Sequence, residues 1–275
     1  MTGHSQDPNQ FLARSPGRAT LLSQLRDSPG RPSSIAASVS MSRRSVQRNL
    51  TELTRRGWVE KVDGKYRVTP SGDLVVDAHE RYCNELATIE RFSPILDAFS
   101  DVSHTPPPTA LSSATMTTVT PGQPHGPLYQ YLQTIKRFET ERVRMLSPVL
   151  SRPLHEAHAE LGMRGAHTEL ILSERLSERA RRLNPREFDL LVSVAPLTMY
   201  CHPGPIEVGI TIGNDRVLVC SYDDDRLTAC LVATSSAMIE WACELFDRYR
   251  SQASEITTPL SFDTPTTGDV GLDGR

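Results

Sequence analysis

The chain has 275 residues and a formal net charge of −3, with 38% hydrophobic and 23% charged residues. That balance supports one large or two modest buried cores and excludes a disordered polyelectrolyte. No run of 18 apolar residues occurs, so no membrane span is expected. The opening MTGHSQDPNQ joins no basic stretch to an apolar one, so the expectation is a cytoplasmic protein without a secretory leader.

Charge is unevenly placed. Residues 1–70 hold twelve Lys/Arg against five Asp/Glu, a balance of +7, while the remainder balances at −10. A basic first module on an acidic body points to nucleic acid as the partner of the first part. Five cysteines (Cys83, Cys201, Cys220, Cys230 and Cys243) form no CxxC pair, which fits unbridged thiols in a reducing compartment.

In chain order, Arg18–Arg26 reads as a helix with Leu21, Leu22 and Leu25 on one face. Pro32 opens a second helix with Ile35, Ala36 and Val39 inward. After Ser40-Met41-Ser42, Ser42 caps a third helix whose stripe is Val46, Leu50 and Leu53. The usual capping-box acid is replaced by Ser45. Gly57 closes that helix. Asp63-Gly64 between Val59–Val62 and Tyr66–Val68 is a strong hairpin signal. Helix, helix, turn, helix and hairpin make a winged helix-turn-helix.

A long helix is predicted over Asp73–Phe99, with Leu74, Val75, Ala78, Tyr82, Leu86, Ile89 and Phe92 at helical spacing and Pro94 near its end. Ser103–Ala114 is rich in Pro, Ser and Thr and reads as a linker. Beyond it, strands at ATMTTVT, RVRMLSPVL, TELILS and FDLLVSVA alternate with helices at Leu128–Thr140, Arg152–Leu161 and Glu174–Leu183, which implies parallel pairing. Three further runs joined by GND and DDD predict an antiparallel meander, and Ala237–Arg250 a final amphipathic helix.

The third helix leaves Ser42, Arg43, Arg44, Gln47 and Arg48 at its outward N-terminal end, the end that enters the major groove in helix-turn-helix proteins. Arginine reads guanine through O6 and N7, and glutamine reads adenine. Arg55 and Arg56 at the far end, with Lys61, Lys65 and Arg67 around the wing, are expected to meet phosphate.

FLARSPGRATLLSQL and RRSVQRNLTELTRRGWVEKVDGKYRVTPSGDLV resemble the N-terminal domain of archaeal, especially haloarchaeal, winged-helix transcriptional regulators. EVGITIGNDRVLVCSYDDDRLTACLVATSSAMIEWACELFDRYRSQA is similar to the effector domain of methanogenesis-type regulators. The resemblance spans roughly residues 10–253. It implies a phospholipase-D-like α/β core, whose catalytic His-x-Lys-x-x-x-x-Asp motif is missing, since no His-x-Lys occurs.

Other motifs are weaker. His155 and His158 of HEAH are three residues apart, where a zinc protease box needs four, so a polar helix face is expected, although Glu160 or His167 could extend the cluster. Cys201 and His202 are adjacent, which on a strand sends them to opposite faces, and MYCHPGP reads as a loop that could border a pocket. Asp223–Asp225 lack an EF-hand pattern and read as a solvated turn.

The reading is an α/β chain divided into a winged helix-turn-helix (10–70), a connector and dimerisation helix (71–102), a linker (103–113), an α/β effector domain with a mixed sheet (114–253) and a disordered tail (254–275). The expected partners are double-stranded promoter DNA, a second copy of the chain and a small-molecule effector. No cofactor, metal or catalytic residue is assigned. The rivals are a winged protein-interaction module and an enzyme acting on nucleic acid.

Overall fold

The computed structural model describes residues 7–193 and 196–256. The chain divides into two compact units, Met1–Ala87 and Thr88–Arg275.

The first unit begins with α1 (Pro8–Ala13), α2 (Pro16–Asp27), α3 (Pro32–Ser38) and α4 (Arg43–Arg55), followed by the hairpin β1 (Val59–Val62) and β2 (Lys65–Val68). Leu21, Leu22 and Leu25 of α2, Ile35 of α3, and Val46, Leu50 and Leu53 of α4 meet in one core. Full burial of each such side chain stabilises by about 1.5–3 kcal/mol, so the stripe dictates which side of α4 is left outside. Asp63 and Gly64 both take positive φ, at 50° and 78°, and turn β1 into antiparallel β2. Gly30 exchanges two backbone hydrogen bonds with Tyr66, of 3.0 and 2.8 Å, and so adds a short third edge to the wing.

Helix α5 (Pro70–Leu96) begins three residues earlier than its apolar spacing predicts. Thr69 explains this. Its hydroxyl accepts from the Gly72 N–H at 3.1 Å and donates to the Gly57 carbonyl at 2.7 Å, and Pro70 lacks the N–H that a first-turn residue leaves unpaired. Gly72 is needed for proximity: a Cβ there would fall 2.0 Å from the Trp58 carbonyl oxygen. The Thr-Pro-x-Gly phrase therefore locks the start of α5 onto the end of α4. Arg26 of α2 reinforces it through Asp77 (2.6 Å) and Glu80 (2.7 Å). Pro94 is tolerated within the last turn.

In the second unit, the α5 side chains Phe92 and Ile95 are buried with α6 (Pro108–Leu111) and α11 (Ser236–Gln252). Residues 103–113 are thus not a bare linker. Ala110 and Leu111 are buried, and the Ala110 carbonyl accepts from Ser235 at 3.2 Å. Two apolar residues within a Pro/Thr-rich stretch suffice to seat it.

The remaining strands are β3 (Thr115–Thr118), β4 (Arg142–Leu146), β5 (His167–Ser173), β6 (Leu197–His202), β7 (Gly209–Ile212), β8 (Val217–Asp223), β9 (Arg226–Ala233) and β10 (Ser254–Glu255). They form one sheet in the order β10-β6-β5-β4-β7-β8-β9-β3. β4, β5 and β6 run parallel, while β7–β8–β9 is the predicted antiparallel meander. The two edge strands, β3 and β10, pair antiparallel to their neighbours. Residues of β8 alternate: Val217 and Val219 pack with α11, Leu218 and Cys220 with α7 (Gly126–Lys136) and α8 (Arg152–Met163). A sheet covered on both faces explains the unbroken apolar run Val217–Cys220.

Three further expectations are corrected. FDLLVSVA is not a strand: Pro185–Ser193 forms helix α10 directly after α9 (Glu174–Leu183). Asn184 and Pro185 restart the chain, and Phe188, Leu191 and Val192 at helical spacing pack as one face. Val194 and Ala195 lie outside the described residues. The third parallel strand is instead β6, so Met199–His202 of MYCHPGP is strand and only the residues after it are loop. Within the segment read as a tail, Ser254 and Glu255 pair with Cys201 and Tyr200, while residues 257–275 lie outside the described residues.

Candidate nucleic-acid interface

Helix α4 is closed at both ends by its own sequence. The Ser42 hydroxyl accepts from the Ser45 N–H at 3.2 Å, capping the helix, and donates to the Ser45 hydroxyl at 3.0 Å. At the other end Gly57 has φ of 73°; its N–H donates to the Thr54 carbonyl and that of Trp58 to the Leu53 carbonyl, at 3.0 and 3.1 Å. This doubly bonded left-handed ending halts the helix and launches the wing.

Between these caps, Val46, Asn49, Leu50 and Leu53 are buried, while Ser42, Arg43, Arg44, Gln47 and Arg48 are exposed. Asn49 is the one buried α4 position that apolar spacing does not reveal. Arg55 is exposed and pairs with Glu52 at 2.6 Å. On the hairpin, Lys61, Lys65 and Arg67 are exposed. Arg67 donates to Glu60 at 2.7 Å, and the Lys61 ammonium lies 5.6 Å from the Tyr66 ring centroid. Exposed pairs of this kind contribute about 0–1 kcal/mol and are readily exchanged for a phosphate partner.

Arg56 sits in a different environment from Arg55. It is half-buried, and its guanidinium lies 3.9 Å from the Phe11 ring centroid and 5.3 Å from that of Trp58. Arg18 covers Phe11 at the same distance and donates to the Phe11 carbonyl at 2.6 Å. Phe11 and Trp58 meet edge to face at 5.6 Å. Burial pushes the Arg18 guanidinium down from its ordinary range; Glu52 opposes this, and the charges of Arg48, Arg56 and Arg14 add to it. Positive charge is thus concentrated beside α4, and part of it belongs to the fold. Apolar spacing reveals neither Arg18 nor Phe11 in this role, because stacked arginines leave no periodic signal.

The other motifs resolve as follows. Adjacent on β6, Cys201 and His202 diverge: Cys201 is half-buried near Ser177, whereas the buried His202 ring lies 4.7 Å from that of Tyr249. His202, Gly204 and Pro205 do border a pocket, with His104 and Arg248. Asp224 and Asp225 form the β8–β9 turn at positive φ, and Asp225 accepts from Arg179 at 3.2 Å. His155 and His158 do not make a polar face: His158 is buried, with Nε2 2.7 Å from the Tyr131 hydroxyl, itself 2.9 Å from Thr211 Oγ1. His167 is engaged with Thr198 at 3.0 Å, and Glu160 is exposed. Among the described residues, no group of three or more His, Cys, Asp or Glu is arranged to hold a metal ion. No helix among them is long and apolar enough to cross a membrane.

Residues 6–91 match the HVO_A0261 N-terminal domain family, and residues 124–252 match the middle domain of the methanogenesis regulatory protein FilR1. The resemblance carried by RRGWVEKVDG and EWACELFDRYR is therefore borne out. Among curated proteins, none matches the chain. Three solved structures show a similarity to the chain. TrmBL2, an archaeal chromatin protein described as showing a novel mode of DNA binding, is 14% identical with a TM-score of 0.41, over 92% of this chain and all of its own. Nuc from Salmonella typhimurium, a phospholipase D family member, is 13% identical with a TM-score of 0.43, over 53% of this chain and all of its own. NucT from Helicobacter pylori is 11% identical with a TM-score of 0.44, over 52% of this chain and 99% of its own.

Proposed function

We propose that the chain is a transcriptional regulator whose winged helix reads double-stranded promoter DNA. The observation that carries this reading is the row Arg43, Arg44, Gln47 and Arg48, exposed at the capped end of α4 and held there by Val46, Leu50 and Leu53. Those side chains suit base edges in the major groove. Arg55, Lys61, Lys65 and Arg67 suit phosphates, which raise affinity and salt sensitivity without choosing sequence. Arg56 supports the helix end through Phe11 and can reach the backbone only from its stack.

One winged domain covers half a site, so the reading includes a homodimer. The apolar side chains Leu74, Tyr82, Leu86 and Ile89 of α5 are exposed, which suits a second copy of the chain. The second unit is read as the effector-binding or assembly domain, in line with the regulatory protein to which it is similar. A ligand there changes operator affinity only by preferring one arrangement of the paired winged domains. No reaction is assigned to the chain: the His-x-Lys that a phospholipase-D-like core needs for chemistry is missing from the sequence. The cytoplasm is the compartment in which such a protein meets DNA.

Selection of duplexes from a random pool by the full chain tests this. A two-fold symmetric sequence should be enriched. Recovery of an unenriched pool, or of no duplex, would sink the reading.

A further inference from the structure

Where β6 ends, the second unit opens a polar cavity of about 310 Å³. It lies outside the carboxyl end of a parallel strand, where open α/β sheets hold their ligands. Three segments wall it: the loop from β6 to β7, the last turns of α11, and residues 100–104. The volume reaches the range of about 300–1,000 Å³ typical of small-molecule sites.

His202 lines this cavity and is 8% exposed. The Gly204 N–H donates to its Nδ1 at 3.0 Å, and the Gly204 carbonyl lies 3.1 Å from the same atom. An amide N–H can only donate, so Nδ1 accepts and the proton of the neutral ring sits on Nε2. Nε2 has no partner among the described residues, yet it is not one of the unpaired side-chain atoms sealed from solvent. It is therefore reachable. Tyr249 packs on the ring at 4.7 Å, and Gly204 closes the Nδ1 edge, where a Cβ would fall 3.1 Å from Cε1. The surface left to His202 opens into the cavity and presents a donor with no acceptor.

Two more donors stand beside it. Arg248 is exposed, and its guanidinium forms no ion pair or hydrogen bond among the described residues. Its charge acts on both Asp101 and Tyr249, which places it on the cavity side of α11. The Tyr249 hydroxyl is also without a hydrogen bond. Carboxylates face these donors. Glu207 Oε2 accepts from the Ser100 N–H at 2.9 Å and leaves Oε1 unpaired, while Asp101 Oδ1 accepts from the Ser103 N–H at 2.8 Å. The carbonyl end of α11 adds negative partial charge on the same side. A plain anion would lie beside two carboxylates, and a plain cation would leave Arg248 unmatched. A ligand with both charges complements both sets of groups. The rings of Tyr249 and His104, 6.1 Å apart and each half-buried, add apolar faces for a flat side chain.

We propose that this cavity binds an α-amino acid with a flat apolar side chain: Arg248 and His202 Nε2 hold its carboxylate, Glu207 its ammonium group, and Tyr249 its ring. The proposal deepens the effector reading above and rests on it for its regulatory meaning.

The test titrates full-length protein by calorimetry with L-phenylalanine, 3-phenylpropionate, which lacks the ammonium group, and phenethylamine, which lacks the carboxylate. L-Phenylalanine should bind at one per chain, and each analogue at least about ten-fold more weakly. Arg248→Gln should abolish the preference for L-phenylalanine over phenethylamine and keep that over 3-phenylpropionate. Glu207→Gln, which still offers an oxygen to Ser100, should do the reverse. In ¹⁵N spectra of imidazole-labelled wild type, L-phenylalanine should move His202 Nε2 and leave the buried His158 in place. Equal affinity for the three compounds, unchanged preferences in both variants, or no saturable binding of L-phenylalanine would overturn the proposal. DNA affinity measured without any probe is the separate arm. Normal DNA binding with no phenylalanine binding removes this site alone; phenylalanine binding with no DNA binding keeps the site and removes the regulator reading.

Discussion

The neutral His158 makes the second unit sensitive to acid, and the size of the effect follows from its environment. In the folded chain its pKa lies at about 4, against 6.5 for an unrestrained histidine. Above pH 6.5 neither folded nor unfolded chains carry the proton, and the stability is whole. Between about 6.5 and 4 the unfolded chain binds the proton while the folded chain does not, so stability falls as pH falls through that window. A shift of this size corresponds to about 3 kcal/mol lost by pH 4. Tyr131 on α7 faces the ring and stays protonated, since burial pushes its pKa well up. His155, one turn away on α8, is also lowered by burial and opposed by Glu187 of α10, so it adds in the same direction. The comparison is therefore wild type against His158→Gln, which keeps a polar partner for Tyr131 but does not titrate. Urea unfolding followed through Trp241, in a Trp58→Phe background, reports on the second unit. Between about pH 7 and about pH 4.5, wild type should lose about 2–3 kcal/mol more than the variant. A difference under about 0.5 kcal/mol would refute the assignment of a buried, neutral His158.

Three further outcomes are expected. Gly72→Ala should destabilise the first unit by about 2–3 kcal/mol, because its Cβ meets the Trp58 carbonyl, whereas Gly64→Ala, with open space around it, should cost only about 1 kcal/mol; urea melts of the two variants check this. Arg56→Ala should lower the melting temperature of the first unit by removing about 1–2 kcal/mol of stacking on Phe11, while Arg48→Ala leaves it unchanged; equal melts would remove the distinction between the two arginines. Leu86→Glu, at an exposed α5 position, should convert a dimer to a folded monomer in light scattering, and an unchanged mass would move the dimer contact elsewhere.

Most of the first unit was legible in sequence because each element carries its own punctuation. Ser42, Gly57 and Asp63-Gly64 bracket α4 and the wing, and three apolar residues orient the helix between them. The meander was legible for the same reason. What escaped was set by tertiary contacts. Pro185–Ser193 and the strand Leu197–His202 are both short apolar runs, which periodicity alone does not assign to helix or strand. Residues 103–113 look like a linker until Ala110 and Leu111 find a core. Arg18 and Phe11 carry no motif. The Tyr131–His158 pair had a usable signal, since a tyrosine on an inner helix face needs a partner for its hydroxyl, but the partner is 27 residues away in sequence.

The central claim is that α4 reads bases while the wing and the helix end hold phosphate. The most direct measurement is the affinity of full-length protein for its selected duplex and for a scrambled one, across a salt series, for wild type, Arg44→Ala and Arg48→Ala. Wild-type binding should fall steeply with salt, by about 0.9 log units per tenfold increase in salt for each phosphate contact. Each variant should lose about 1–3 kcal/mol on the selected duplex and little on the scrambled one. Salt-independent binding, or two variants that bind the selected duplex as tightly as wild type, would contradict the account.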